Sequence, residues 1–219
     1  MLFDFGGTLD ADGVTWKDRM RRLYEEHGCP VAPERFESAF HAADDALVGR
    51  LDPAATLGET VDRLVAGLQR GLALDDPALG RRVAAGFTEA AGTALRRHAP
   101  LLRTLGARYR LGVVSNFYGN LRAVCEEAGI AGLFGALVDS TAVGALKPDP
   151  RIFRAALDTL GVEPDRAVFV GDSLPRDMAG ARALGMPHVW VRAAGAAAAP
   201  CCAGDPVIAG VAALEELLA

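Results

Sequence analysis

From Pro100 to the C-terminal end, short apolar runs alternate with helical stripes, and this grammar constrains the fold more than any other feature of the chain. Leu111 to Val114 reads as a strand, followed by a helix carrying Leu121 and Val124. Leu137-Val138 reads as the next strand, followed by a helical stripe from Ile152 to Leu160 that stops at Gly161. Ala167 to Val170 is the clearest strand and precedes a helix through Met178 to Leu184. His188 to Val191 and Val207-Ile208 complete the set, with a last helix around Leu214 and Leu217. Such alternation predicts a parallel sheet covered by helices on both faces. Met1 to Phe5 reads as one more short strand, running into Gly6-Gly7-Thr8.

Between these regions the period is helical throughout. Trp16, Met20 and Tyr24 share one face, and Phe36, Phe40 and Ala43 share a second. Thr56-Leu57-Gly58-Glu59 is a capping-box pattern that opens a third helix, and Leu79, Val83 and Phe87 mark a fourth. The expected architecture is a doubly wound α/β core, residues 1–12 and 96–219, with an all-helical unit inserted at 13–95. The aromatic residues of the insert, Trp16 among them, are expected to pack rather than to touch substrate.

Composition narrows the function. With 51% hydrophobic and 23% charged residues in 219, the chain is globular rather than disordered. A net charge of -5 argues against a nucleic-acid partner, which calls for a basic surface. No apolar run approaches the ~18 residues of a membrane helix, and the N-terminus lacks a secretory pattern. A soluble, cytoplasmic protein is expected. Cys29, Cys125, Cys201 and Cys202 form no C-x-x-C pair, and the four histidines lack zinc spacing. Adjacent Cys201-Cys202 is a weak candidate for metal binding or a strained bridge. Of the 23 basic residues only Lys17 and Lys147 are lysine, which singles out each of them for scrutiny.

In open parallel sheets, ligands bind beyond the carboxyl ends of the strands. The strand ends of this chain deliver Asp4 with Gly6, Gly7 and Thr8; Ser115-Asn116; a later loop with Lys147; and Gly171-Asp172-Ser173 with Asp177. Asp4 and Asp172 can share a hard divalent cation. That cation and Lys147 would neutralise a phosphoryl group, opening its phosphorus to an anionic nucleophile. A carboxylate can be that nucleophile, giving an aspartyl-phosphate that water hydrolyses. Ser115 and backbone N–H groups after the strands, Gly7 among them, can hold the remaining oxygens.

Phe3-Asp4-Phe5-Gly6-Gly7-Thr8-Leu9, Val114-Ser115-Asn116, Lys147-Pro148 and Gly171-Asp172-Ser173-x-x-x-Asp177 resemble the four ordered motifs of the haloacid dehalogenase superfamily. The helical insert stands where that superfamily places a C1-type cap. The resemblance implies a magnesium-dependent hydrolase, with Asp4 as nucleophile and Ser115 and Lys147 binding the phosphoryl group of a small metabolite. It implies Asp172 as a direct magnesium ligand and the backbone carbonyl of Gly6 as another. Asp177 would support the metal's water shell or orient Lys147, while Thr8 and Asn116 would position the transferred group.

Position 6 departs from the pattern. Phosphatases of the superfamily usually carry a second aspartate there, which protonates the leaving group and then activates water. A positioned proton donor is worth ~10²–10⁴-fold, so acyl phosphates and anhydrides should suffer less from its absence than alkyl esters. Asp10 or Asp12 is a weak substitute, and Gly6→Asp is expected to raise activity on ordinary phosphate esters. Two other readings compete: a non-enzymatic protein that binds a phosphorylated ligand or a protein partner, and a 2-haloacid dehalogenase. Gly6 permits the dehalogenase, but Asp172 opposes it, because the superfamily's dehalogenases carry a neutral residue at that position.

Overall fold

The structure is a computed structural model describing residues 1–193, 195 and 204–218. Cys201 and Cys202 lie outside the described residues. Among the described residues six strands form one parallel sheet: β1 (Leu2–Phe3), β2 (Gly112–Ser115), β3 (Ala136–Asp139), β4 (Phe169–Gly171), β5 (His188–Val191) and β6 (Val207–Ile208). Their spatial order is β3-β2-β1-β4-β5-β6. The order reverses at β1, which pairs with β2 on one side (Phe3 beside Val113) and with β4 on the other (Phe3 beside Val170). A crevice therefore opens at the carboxyl ends of β1, β2 and β4.

Alternation along each strand sends side chains to two separate cores. Leu2, Val114, Phe169 and Trp190 join the cluster built with α7 (Pro150–Leu160) and α8 (Ala179–Ala183). Phe3, Val113, Val170 and Val189 join the other, with α5 (Leu121–Glu127) and α9 (Leu214–Leu217). A two-residue strand suffices at the centre because Leu2 and Phe3 are wholly buried, one on each face.

The helical insert consists of α1 (Trp16–Glu26), α2 (Pro33–Asp45), α3 (Leu57–Gly71) and α4 (Pro77–Gly106). The capping box at Thr56 forms as its sequence predicts, Thr56 accepting from Glu59 N–H while Glu59 accepts from Thr56 N–H. α4 differs from the sequence reading. It runs unbroken through residue 96 and Pro100, so the division drawn between insert and core falls inside one helix. A proline in a helix interior forfeits a hydrogen bond, and here buried residues flank Pro100 on both sides. Phe87 and Leu95 before Pro100 and Leu101, Leu102 and Leu105 after it are all buried in one continuous cluster, which also holds Phe3, Val113 and Val170 of the sheet. A short α6 (Ser140–Val143), unread from the sequence, follows β3.

Candidate active site

The chain leaves β1 through a wide turn over Phe5–Leu9, with Gly7 in the left-handed region at φ 93°. A Cβ on Gly7 would lie 2.6 Å from Asp172 Oδ2, so only glycine lets the β1 and β4 loops approach this closely. Gly7→Ala adds both that clash and backbone strain. It is expected to lose divalent-cation affinity and activity while the protein still folds, as checked by calorimetric titration beside circular dichroism.

β4 ends in a matching wide turn over Leu174–Met178, closed by Met178 N–H donating to Ser173 O at 3.2 Å. The turn carries Asp177 back into the crevice, where its Oδ2 accepts from Ser173 N–H at 3.0 Å. Trp190 Nε1 donates to the Asp172 carbonyl at 2.8 Å and fixes the main chain beside that carboxylate. On the opposite side, Asp139 at the end of β3 accepts from Gly119, Leu121 and Thr141 N–H groups and shapes the loop after Ser115.

Lys147 is the hub. Buried to 5% exposure, its ammonium pairs with Asp4 Oδ1 and lies 2.8 Å from Asp177 Oδ1. The second contact lies off hydrogen-bond angle, so this fully buried Asp177 oxygen has charge but no hydrogen-bond donor. Asn116 accepts from Lys147 N–H at 2.7 Å and donates to its carbonyl at 3.3 Å, which places the lysine's main chain. Ser115 Oγ donates to Asp4 Oδ1 at 3.3 Å, and Thr8 Oγ1 donates to Asp172 Oδ1 at 3.2 Å. Asp4, Ser115, Lys147, Thr8, Asp172 and Asp177 thus meet around one point. Asn116 and Gly7 serve their neighbours in this geometry, because the Gly7 N–H is already donated to Asp10 Oδ1 at 2.7 Å.

The electrostatics leave negative charge uncompensated. Burial, then the charges of Asp4 and Asp177, hold the Asp172 carboxyl well above the usual carboxylate range. Burial also pushes Asp177 up to about 6, against the pull of Lys147. Burial alone would depress the Lys147 ammonium, but the Asp177 and Asp4 charges outweigh it and raise it. One cation cannot neutralise three carboxylates. Among the described residues Asp4, Asp172 and Asp177 form a group that could hold a metal ion, one oxygen from each lying within 4.8 Å of the others. A hard-oxygen set with charge to spare fits a divalent cation such as magnesium.

Asp10 and Asp12, the two carboxylates weighed as substitutes for the missing acid, are both engaged by other groups. Asp10 is folded back by the wide turn. It receives Gly7 N–H, Trp16 Nε1–H at 2.7 Å and Arg19 Nη1 at 2.8 Å. Asp12 is engaged elsewhere, with Arg97, with His98 Nε2 at 3.2 Å and with Val211 N–H. Neither carboxylate is free to serve as the missing acid. Asp44 of α2 accepts from the Tyr118 hydroxyl in the loop after β2, joining insert to core. Burial raises the Asp44 carboxyl despite that bond.

A six-stranded doubly wound protein with a lysine-bridged carboxylate cluster at its switch point is the class defined by fold and site. The family profile of haloacid dehalogenase-like hydrolases matches residues 1–185. A phosphoglycolate phosphatase of Rhodospirillum rubrum is 39% identical over 200 residues, covering 86% of this chain and 77% of that protein. The chain therefore belongs to the haloacid dehalogenase-like hydrolase family and is an enzyme of that kind. Solved structures agree in fold. A HAD phosphatase from Thermococcus onnurineus aligns at TM-score 0.57 with 24% identity, over 99% of this chain and 96% of that one. A 2-haloacid dehalogenase from Pseudomonas syringae aligns at TM-score 0.54, also with 24% identity and the same coverage. Both chemistries share the fold, so the site must discriminate between them. No helix among the described residues is long and apolar enough to cross a membrane.

Proposed function

We propose that this enzyme is a magnesium-dependent phosphohydrolase acting through an aspartyl-phosphate on a small phosphorylated metabolite, with residues 13–95 as its cap. The carrying observation is the Lys147 ammonium held between Asp4 and Asp177 beside Asp172. A dehalogenase, which displaces halide from carbon, has no use for a third carboxylate in that position.

Asp4, Asp172 and Asp177 would hold the ion, with the Gly6 carbonyl as a further donor. Once bound, the ion supplies positive charge against the phosphoryl oxygens. Asp4 attacks phosphorus, and the P–O bond to the leaving group breaks with its electron pair on that oxygen. Lys147 and the Ser115 hydroxyl hold the phosphoryl oxygens as charge shifts onto them. Water then attacks the same phosphorus, the Asp4–phosphorus bond breaks, and inorganic phosphate leaves with Asp4 regenerated. The water's second proton passes to solvent. Thr8 keeps Asp172 oriented, and Asn116 keeps Lys147 in place.

The phosphoglycolate phosphatase relative makes phosphoglycolate the first compound to assay, beside acyl and aryl phosphates. Magnesium-dependent phosphate release, faster from the acyl and aryl phosphates than from phosphoglycolate, an alkyl ester, is the expected result. Halide release from a 2-haloacid with chelator present, and no phosphate release, would favour the dehalogenase instead.

A further inference from the structure

Position 6 and Trp16 form one contact. A Cβ built on Gly6 would lie 3.0 Å from Trp16 Nε1 and 3.3 Å from its Cδ1, so the indole occupies the volume that a side chain at 6 would enter. The neighbouring Cβ, on Gly7, would point at Asp172, which places this turn against the carboxylate cluster. The indole is fixed from every side. Its N–H is donated to Asp10 at 2.7 Å, its ring meets Phe87 edge-on at 4.9 Å and Phe117 at 5.9 Å, and Tyr118 lies 6.2 Å away. Only 9% of Trp16 is exposed. Asp10 is held in turn by Gly7 and Arg19 and keeps no exposed side-chain surface.

We infer that Trp16 is a specificity-determining residue of the proposed reaction: its indole fills the place beside the nucleophile's turn where a proton donor at position 6 would stand. The enzyme is thereby restricted to leaving groups that depart unprotonated. The electron pair of the broken P–O bond remains on the leaving oxygen, which selects acyl phosphates, phosphoanhydrides and aryl phosphates over alkyl esters. This rests on the phosphohydrolase reading. It also reverses the expectation for Gly6→Asp, because a carboxylate added alone meets the indole.

The test measures kcat/KM with magnesium for acetyl phosphate, p-nitrophenyl phosphate and glycerol 3-phosphate, using wild type, Gly6→Asp and Gly6→Asp/Trp16→Ala. Wild type should favour the first two by ~10²-fold or more, and Gly6→Asp alone should lose activity on all three. The double variant should gain ~10²-fold on glycerol 3-phosphate over wild type and flatten the dependence on leaving group, which a purely structural repair would not do. A gain from Gly6→Asp alone, or an unchanged preference in the double variant, would overturn the inference. Wild type inactive on all three compounds would overturn the phosphohydrolase reading and this inference with it. Thermal melts give an independent check that needs no folded Trp16→Ala protein. Gly6→Ala should lower Tm beside Trp16 but not in a Trp16→Leu background, and equal loss in both would refute the contact.

Discussion

Asp4→Asn is expected to lower magnesium-dependent phosphate release by more than ~10⁴-fold, the scale seen when a nucleophile is removed from a catalytic unit. The amide retains the shape of the carboxylate but is a far poorer nucleophile. The protein should remain folded, since Ser115 can still bond to the amide oxygen and Lys147 still faces Asp177. The variant also removes one of three crowded negative charges, so its metal-free Tm should equal or exceed that of wild type. Rates on a responsive phosphate, beside a thermal melt, check both halves. Turnover near wild type would take Asp4 out of the mechanism.

Lys147→Ala has the second large effect, and it falls on stability as well as rate. The lysine is the cation in contact with both Asp4 and Asp177 in a site where all three side chains are buried. Removing one partner of a buried pair costs about 3–5 kcal/mol, because the charges left behind have no compensation. For a chain of this size that lowers Tm by ~6–20 °C. The pH dependence comes from the raised carboxyls. The folded state of wild type already binds protons at Asp172 and Asp177 more tightly than the unfolded chain does. Lowering the pH therefore favours the folded state, and because losing Lys147 raises Asp177 above the wild-type value of about 6, the deficit of Lys147→Ala should shrink as pH falls toward about 6. Melts of both proteins across pH 5 to 8 without metal test this. A deficit independent of pH would mean that lost packing, not stranded charge, is responsible.

The residues that meet in the crevice were legible because each comes after a buried strand, and strand ends converge at one edge of a parallel sheet. Asp4, Ser115 and Asp172 needed no more than the strand pattern. Lys147 stood out against a background of arginine, and its role comes from the two carboxylates it meets. What escaped detection depends on how turns fold back. Asp10 looks remote along the chain, yet the wide turn over Phe5–Leu9 returns it to Gly7 N–H. Trp16 carries the apolar spacing of a packing residue and does pack, but the atoms beside its indole include Gly6 of the turn after Asp4. No local pattern reports such a contact across ten residues. The boundary drawn between residues 95 and 96 falls inside α4, because the helix continues through Pro100 on side chains buried in one cluster with sheet residues, a tertiary effect that no local pattern carries.

Divalent-cation titration of wild type, Asp4→Asn and Asp172→Asn by calorimetry tests most directly whether the β1 and β4 carboxylates share one ion. One site per chain in wild type, weakened at least ~10-fold in each variant alone, is the predicted result. Binding of equal strength in all three proteins would contradict it.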